Sequence, residues 1–236
     1  MDKKNITFTL EFGSEWIPKE YYPTPSVKAI PEWYKKMQSS SANNKLEPKE
    51  VVQSQTIKRC LPVFDAMTAG YILFTHTDLF IKYVNGVPAF EWAQDTKETV
   101  TPHPAYQLTG YRNMNLPNGA NKFRNPWGIK TPKGYSCLFV PPLHRPNCGI
   151  TIIEGLVDTD SYSNCVQLPF LVDEGAHGTI PAGTPIAQVI PFKRDSFVME
   201  IGDIEQRTQN HAVSRLINST WINGYRNRFR ANKSFT

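Results

Sequence analysis

Two carboxylates one residue apart, Asp158 and Asp160, with Tyr162 two positions on, lie in the run Gly155-Leu156-Val157-Asp158-Thr159-Asp160-Ser161-Tyr162. The run places an acidic turn between apolar stretches. Carboxylates in a turn can contact a ligand or act as general bases. The same aspartates can instead cap their own turn, and Tyr162 can serve simply as packing. A second stretch, Ile180–Ile190, sets the turn Gly183-Thr184-Pro185 before Ile186-Ala187-Gln188, which alternates as a strand should and presents Gln188. A third, Lys133-Gly134-Tyr135, opens an apolar run that ends at Pro141-Pro142. His144 and Arg145 follow and read as a solvated loop.

The remaining chemistry-bearing residues are scattered. Cys60, Cys137, Cys148 and Cys165 form no C-x-x-C pair, and the five histidines show no ligand spacing. The cysteines read as buried thiols, and no metal site or resident cofactor is expected. The net charge of +5 belongs entirely to the segment after residue 204. There Tyr225, Phe229 and Phe235 alternate with Arg226, Arg228, Arg230 and Lys233. Exposed rings gain nothing in water, so Tyr225, Arg226, Arg228, Phe229 and Arg230 read as a docking arm. Few cations on a chain otherwise neutral favour a protein partner over nucleic acid. A solvated tail is the plainer reading of the same charges.

The elements that must position these residues are short. High proline and many β-branched and aromatic runs predict strands joined by turns. Strands are expected over Asn5–Phe12, Thr56–Leu61, within Tyr71–Val84, over Val87–Trp92 and Tyr106–Arg112. Further strands are expected over Lys130–Val140, Gly149–Glu154, Asn164–Leu171, Gly178–Ile180 and Ile186–Phe192. Asn85-Gly86 is a hairpin signal. Asp65–Gly70 reads as a turn or one helical turn, Asn125-Pro126-Trp127-Gly128 as loop, and Pro102–Pro104 as a break. A short helix is expected within Ser26–Met37, with Pro31 in its first turn, and another in Asp203–Trp221. The last thirteen residues show no period. The predicted organisation is 1–55 as an N-terminal strand and helix, 56–202 as the β domain, and 203–236 as C-terminal helix and arm. No apolar run approaches a membrane span, and no signal peptide is expected at the N-terminus.

The order and spacing of the Gly134-Tyr135 strand, the Gly155–Tyr162 turn and the Gly183…Ile186-Ala187-Gln188 strand resemble the dUTPase family. The resemblance implies a mainly β fold of the β-clip type, a distorted β-barrel, usually a homotrimer with nucleotide sites where subunits meet. It implies that Asp158 occupies the place of the water-orienting carboxylate, with Asp160, Tyr162 and Gln188 as ligand-binding positions. Ser161 is one residue more than the family pattern has before its tyrosine. Where the family follows the G-Y strand with P-R-S-G, this chain has Pro141-Pro142-Leu143-His144, and Arg145 stands three residues away from the family's arginine. The family's glycine-rich C-terminal arm is matched only by Gly224 beside Arg226, Arg228 and Phe229. A second resemblance is carried by Tyr22-Pro23-Thr24-Pro25-Ser26, Ile30–Lys35, Thr56–Cys60 and Gly155–Asp160. It is to a family of unassigned activity common in tailed-phage genomes, and it implies a phage origin.

Together these imply a catalytically silent, dUTPase-like homotrimer with a structural or binding role in a phage, as a capsid decoration or other assembly component. Its partners would be itself and other virion proteins, and its place the virion or host cytoplasm. Two alternatives stay open: a nucleotide pyrophosphatase for dUTP or dCTP using Mg2+, and a nucleic-acid-binding accessory protein using the basic tail.

Overall fold

The structure, a computed structural model, describes residues 4–41, 54–93, 98–111, 120–202, 208, 210–213 and 224–236. The chain divides into two compact units, Met1–Arg194 and Asp195–Thr236.

The first unit is mainly β, as the alternation of its short apolar runs requires. Its strands are β1 (Thr7–Leu10), β2 (Thr24–Pro25), β3 (Ser40–Ser41), β4 (Ser54–Gln55), β5 (Tyr71–Phe74), β6 (Leu79–Val84), β7 (Val87–Trp92) and β8 (Val100–His103). There follow β9 (Ala120–Phe123), β10 (Trp127–Lys130), β11 (Tyr135–Val140), β12 (Ile150–Ile152), β13 (Gly155–Val157), β14 (Leu168–Val172), β15 (Gly178–Ile180) and β16 (Pro185–Lys193). Every pairing of named strands is antiparallel. The largest sheet has the order β13-β11-β16-β5-β2, and a second runs β12-β14-β9-β8. Smaller sheets join β15-β6-β7, β1-β10 and β3-β4.

One core draws on β5, β6, β9, β10, β11, β14 and β16, with Leu79, Phe123, Ile129, Phe139, Phe170 and Val189 all fully buried within it. Phe123 and Phe170 lie with ring centroids 4.5 Å apart, and Trp127 meets Tyr22 edge-on at 4.7 Å. Ile6, Phe8 and Leu10 pack against this core as their alternation predicts, whereas Phe12 lies beyond the strand and is exposed. Asn85 and Gly86 both take left-handed backbone (φ 52° and 79°), the conformation that a two-residue hairpin demands, and Val84 pairs with Val87 across them. Gly70 also takes a left-handed conformation (φ 65°), and a Cβ there would stand 2.0 Å from the Val189 carbonyl oxygen. No other residue fits between β5 and β16 at that point.

Several expectations are corrected. Thr56–Leu61 is no strand: Ile57–Arg59 makes a 3-10 turn, and α2 runs over Leu61–Thr68, replacing the single turn expected near Asp65. Pro62 sits in the first turn of α2, where its missing N–H costs nothing. Upstream, the Ser26–Met37 segment divides into a 3-10 turn over Ser26–Lys28 and α1 over Glu32–Lys36, with Pro31 as its N-cap. Of the strand expected over Tyr106–Arg112, the described part, Tyr106–Tyr111, is likewise no strand, because Pro104 caps a 3-10 turn over Ala105–Leu108. Pro102, read as a break, lies inside edge strand β8, where a missing donor is tolerated. Lys130–Val140 divides at Thr131–Gly134 into β10 and β11, and Trp127 and Gly128 belong to β10 instead of to a loop.

In the second unit, residues 208 and 210–213 are helical, and the rest of the helix expected over Asp203–Trp221 lies outside the described residues. The final segment has more order than its sequence suggests: α3 (Gly224–Arg228) forms one turn, and Tyr225 stacks on Phe229 at 6.4 Å. Both rings remain substantially exposed.

Candidate functional site

The acidic turn follows β13, which pairs with β11, so Asp158 and Asp160 stand beside the start of β11. Thr159 between them points inward and is fully buried, with its hydroxyl 2.8 Å from that of Thr131. This alternation sends the two carboxylates to the other side. The Ser136 hydroxyl donates to Asp158 Oδ1 at 2.6 Å, and the Gly134 amide donates to Asp160 Oδ2 at 2.8 Å. Lys130 Nζ donates to the Asp160 carbonyl at 2.6 Å.

Arg194, one residue past β16, joins the two aspartates. Its Nη1 lies 3.1 Å from Asp158 Oδ1 and donates to Asp160 Oδ1 at 2.9 Å and to Ser136 Oγ at 3.0 Å. Its Nη2 donates to Asp160 Oδ2. The Arg194 amide donates to the Gly134 carbonyl at 2.9 Å, which fixes the backbone as well. Asp160 is held well below the usual carboxylate range by Arg194 and then by the Gly134 amide. Asp158 is lowered first by the Ser136 hydroxyl and then by Arg194, and the Arg194 guanidinium is raised in turn by Asp160. Both carboxylates are therefore anions already carrying a cation. The Asp158 side chain is 57% exposed, whereas that of Asp160 is nearly covered. The Asp158 carbonyl accepts the amides of Ser161 and Tyr162 and the Ser161 hydroxyl, so the extra residue closes a turn. The Tyr162 ring is half-exposed beside it.

Gln188 lies elsewhere and is fully buried. Its Nε2 donates to the carbonyls of Ala66 (2.9 Å) and Ala69 (2.6 Å), and its Oε1 accepts the Leu143 amide (2.9 Å). It ties the end of α2 and the loop after β11 to β16. Arg145 is not in a solvated loop. His144 before it takes left-handed backbone (φ 56°), which turns Arg145 inward. Its guanidinium donates to the carbonyls of Met67, Leu143 and Ser26 at 3.3 Å and of Ala29 at 3.0 Å. Burial lowers it to about 10. Trp33 closes the same loop by donating to the His144 carbonyl at 3.0 Å.

Thus the structure brings Asp158, Asp160 and Tyr162 together and keeps Gln188 apart from them. Sequence reasoning missed Arg194, Ser136 and Lys130 at this site; the basic pair Lys193-Arg194 closing a strand was the only local signal. Among the described residues no group of three or more His, Cys, Asp or Glu is placed to hold a metal ion. A magnesium ion brought to Asp158 and Asp160 would compete with Arg194, so these residues do not fit a protein-held cation.

No protein-family model matches the chain, and no curated protein matches it. A solved structure does. The chain is similar to a mutant dUTPase from phage phi11 of S. aureus, whose structure describes the coordination of a structural Mg(II) ion. Identity is 11%, coverage is 85% of this chain and 97% of that one, and the TM-score is 0.32. At that TM-score the likeness carries no argument. No helix among the described residues is long and apolar enough to cross a membrane.

Proposed function

We propose that this chain is a non-hydrolytic, self-assembling protein with a structural or binding role, in which a dUTPase-like acidic turn has been turned to internal use. The observation that carries this reading is the pairing of Asp158 and Asp160 with Arg194. A water-orienting carboxylate must be free to take a proton from water, and one held low by a guanidinium and a hydroxyl is a weak base. Phosphate donors are the second requirement. Arg145, the arginine nearest the end of β11, spends its guanidinium on four backbone carbonyls. Each lost transition-state donor costs about 2.7–4 kcal/mol, so losing two lowers a rate by roughly four orders of magnitude or more.

In this reading the chain forms a homotrimer and serves a phage particle as a decoration or assembly component. The arm carrying Tyr225, Arg226, Arg228, Phe229 and Arg230 engages a protein partner. Gln188 is a structural tie, not a ligand contact. The exposure of Asp158 beside the half-exposed Tyr162 ring favours a second reading, nucleotide binding without the tightened phosphate site. Calorimetric titration with dUTP and magnesium separates the two. The first reading expects no saturable heat at about 1 mM nucleotide, the upper end of ordinary KM values. Saturation that disappears in Asp158→Ala would favour the second.

A further inference from the structure

A cleft in the first unit shares no residue with the acidic turn. Glu11, Ser14, Trp16, His76, Glu98 and Arg124 line it. It opens to solvent and has room for one group the size of a water molecule, a cavity volume of ≈10 Å3. Backbone hydrogen bonds build it. The Glu11 amide donates to the Pro126 carbonyl at 2.8 Å, and the Arg124 amide donates to the Thr99 carbonyl at 2.9 Å. These bonds bring Glu11, Glu98 and Arg124 to one place. The Ser14 amide donates to the Glu11 carbonyl, and the Ile17 amide to the Ser14 carbonyl, both at 3.1 Å. The loop after β1 is thereby folded back, and buried Ile17 pins it. His76, between β5 and β6, meets Trp16 edge-on with ring centroids 5.4 Å apart.

Three features of the cleft point to a ligand. Ser14 is only 3% exposed, yet its hydroxyl has no hydrogen-bond partner among the described residues. The same is true of the His76 ring nitrogens, and burial keeps that ring neutral at physiological pH, with one nitrogen able to accept. The charge is also unbalanced. Arg124 reaches Glu11 at a long 3.4 Å, and Glu98 has no ion pair among the described residues. Two carboxylates thus face one guanidinium beside a neutral imidazole, and the surplus is negative. A cation offsets it, whereas an anion would meet the carboxylates. Finally, the Trp16 indole is 37% exposed, and an indole ring attracts cations.

We propose that this cleft binds one primary ammonium group carried on an alkyl chain, the end of a lysine side chain or of a free polyamine. Size and donor count select the group. A guanidinium is too wide for a water-sized cavity. A metal ion does not suit it, because Glu11, His76 and Glu98 are not grouped as ligands. An ammonium is water-sized, and its three N–H groups match three free acceptors: the Glu98 carboxylate, the Ser14 hydroxyl and the acceptor nitrogen of His76. The site is independent of the self-assembling reading, which its failure would leave intact.

Nuclear magnetic resonance on the full-length, 15N-labelled protein tests this. The Trp16 indole N–H, identified by its loss in Trp16→Phe, should shift saturably with n-butylammonium at neutral pH, with a Kd on the order of 1–10 mM. Butanol, without the charge, should give no saturable shift, and potassium at equal concentration should not compete. Glu98→Gln changes an exposed side chain, so the fold stays, and it should weaken butylammonium binding roughly three- to fivefold. Two further probes separate the sources. Tighter binding of Nα-acetyl-lysine methylamide than of spermidine assigns the cleft to a protein partner, and the reverse assigns it to a polyamine. A shift still linear at about 50 mM butylammonium, an equal response to butanol, competition by potassium, or an unchanged Kd in Glu98→Gln overturns the proposal.

Discussion

Replacing Gln188 with leucine isolates its structural role, because the side chain keeps its bulk and loses only its hydrogen bonds. In the native chain the amide serves three backbone groups from a fully buried position. Ala66 O keeps a partner in the Ala69 amide, so its loss is small. The Leu143 amide and the Ala69 carbonyl are the groups left wanting, at roughly 1–3 kcal/mol each. Burying leucine returns about 1–2 kcal/mol. The net expectation is a destabilisation of about 2–3 kcal/mol. For a chain of this length that is a fall of roughly 5–10 °C in Tm. Gln188→Glu should be worse at neutral pH, because a carboxylate accepts from Leu143 but cannot donate to two carbonyls. Thermal unfolding followed by circular dichroism reads both. A shift below about 2 °C for the leucine variant, the size of an ordinary surface substitution, refutes the reasoning.

Arg145→Met should cost about 2–4 kcal/mol, since charge-assisted hydrogen bonds to four carbonyls are lost, and Arg145→Lys should not rescue it because one ammonium cannot span the fork; urea midpoints compare the two. His76 is lowered to about 4 by burial, beneath Trp16 at 5.4 Å. The folded state therefore binds fewer protons than the unfolded state between pH 6.5 and 4, and stability falls as pH drops through that window, by at most about 3 kcal/mol. His76→Gln should flatten this part of a Tm-against-pH profile, and an unaltered slope would remove His76 from the account. Deleting residues 224–236 should leave the Tm of the β unit unchanged while reducing attachment to particles; equal co-sedimentation with particles for both forms would reduce the arm to a solvated tail.

What was legible in the sequence was whatever depended on near neighbours. The hairpin at Asn85-Gly86 and the alternation in β16 are local patterns, and they stand where the residues put them. Helix α2 was not legible, because Leu61, Val63 and Phe64 suit a strand as well as a helix and only Pro62 marked a first turn. Strand β9 was missed because its four residues carry no run of their own; it exists by pairing on both sides, with β14 and β8. At the site, the carboxylates and Tyr162 were legible as a motif. Their neutralisation was not, because Arg194 lies more than thirty residues away and reaches them only through the β11–β16 pairing. Nor was the inward turn of Arg145, which depends on the left-handed backbone of His144, a conformation no local residue announced.

The most direct test of the central claim is pyrophosphate release from dUTP by the full-length protein with magnesium at neutral pH. With Asp158 and Asp160 held by Arg194 and Arg145 spent on the backbone, the account predicts release indistinguishable from a protein-free control, in the native chain and in Asp158→Ala alike. Magnesium-dependent turnover at an enzymatic rate, abolished by Asp158→Ala, would contradict it.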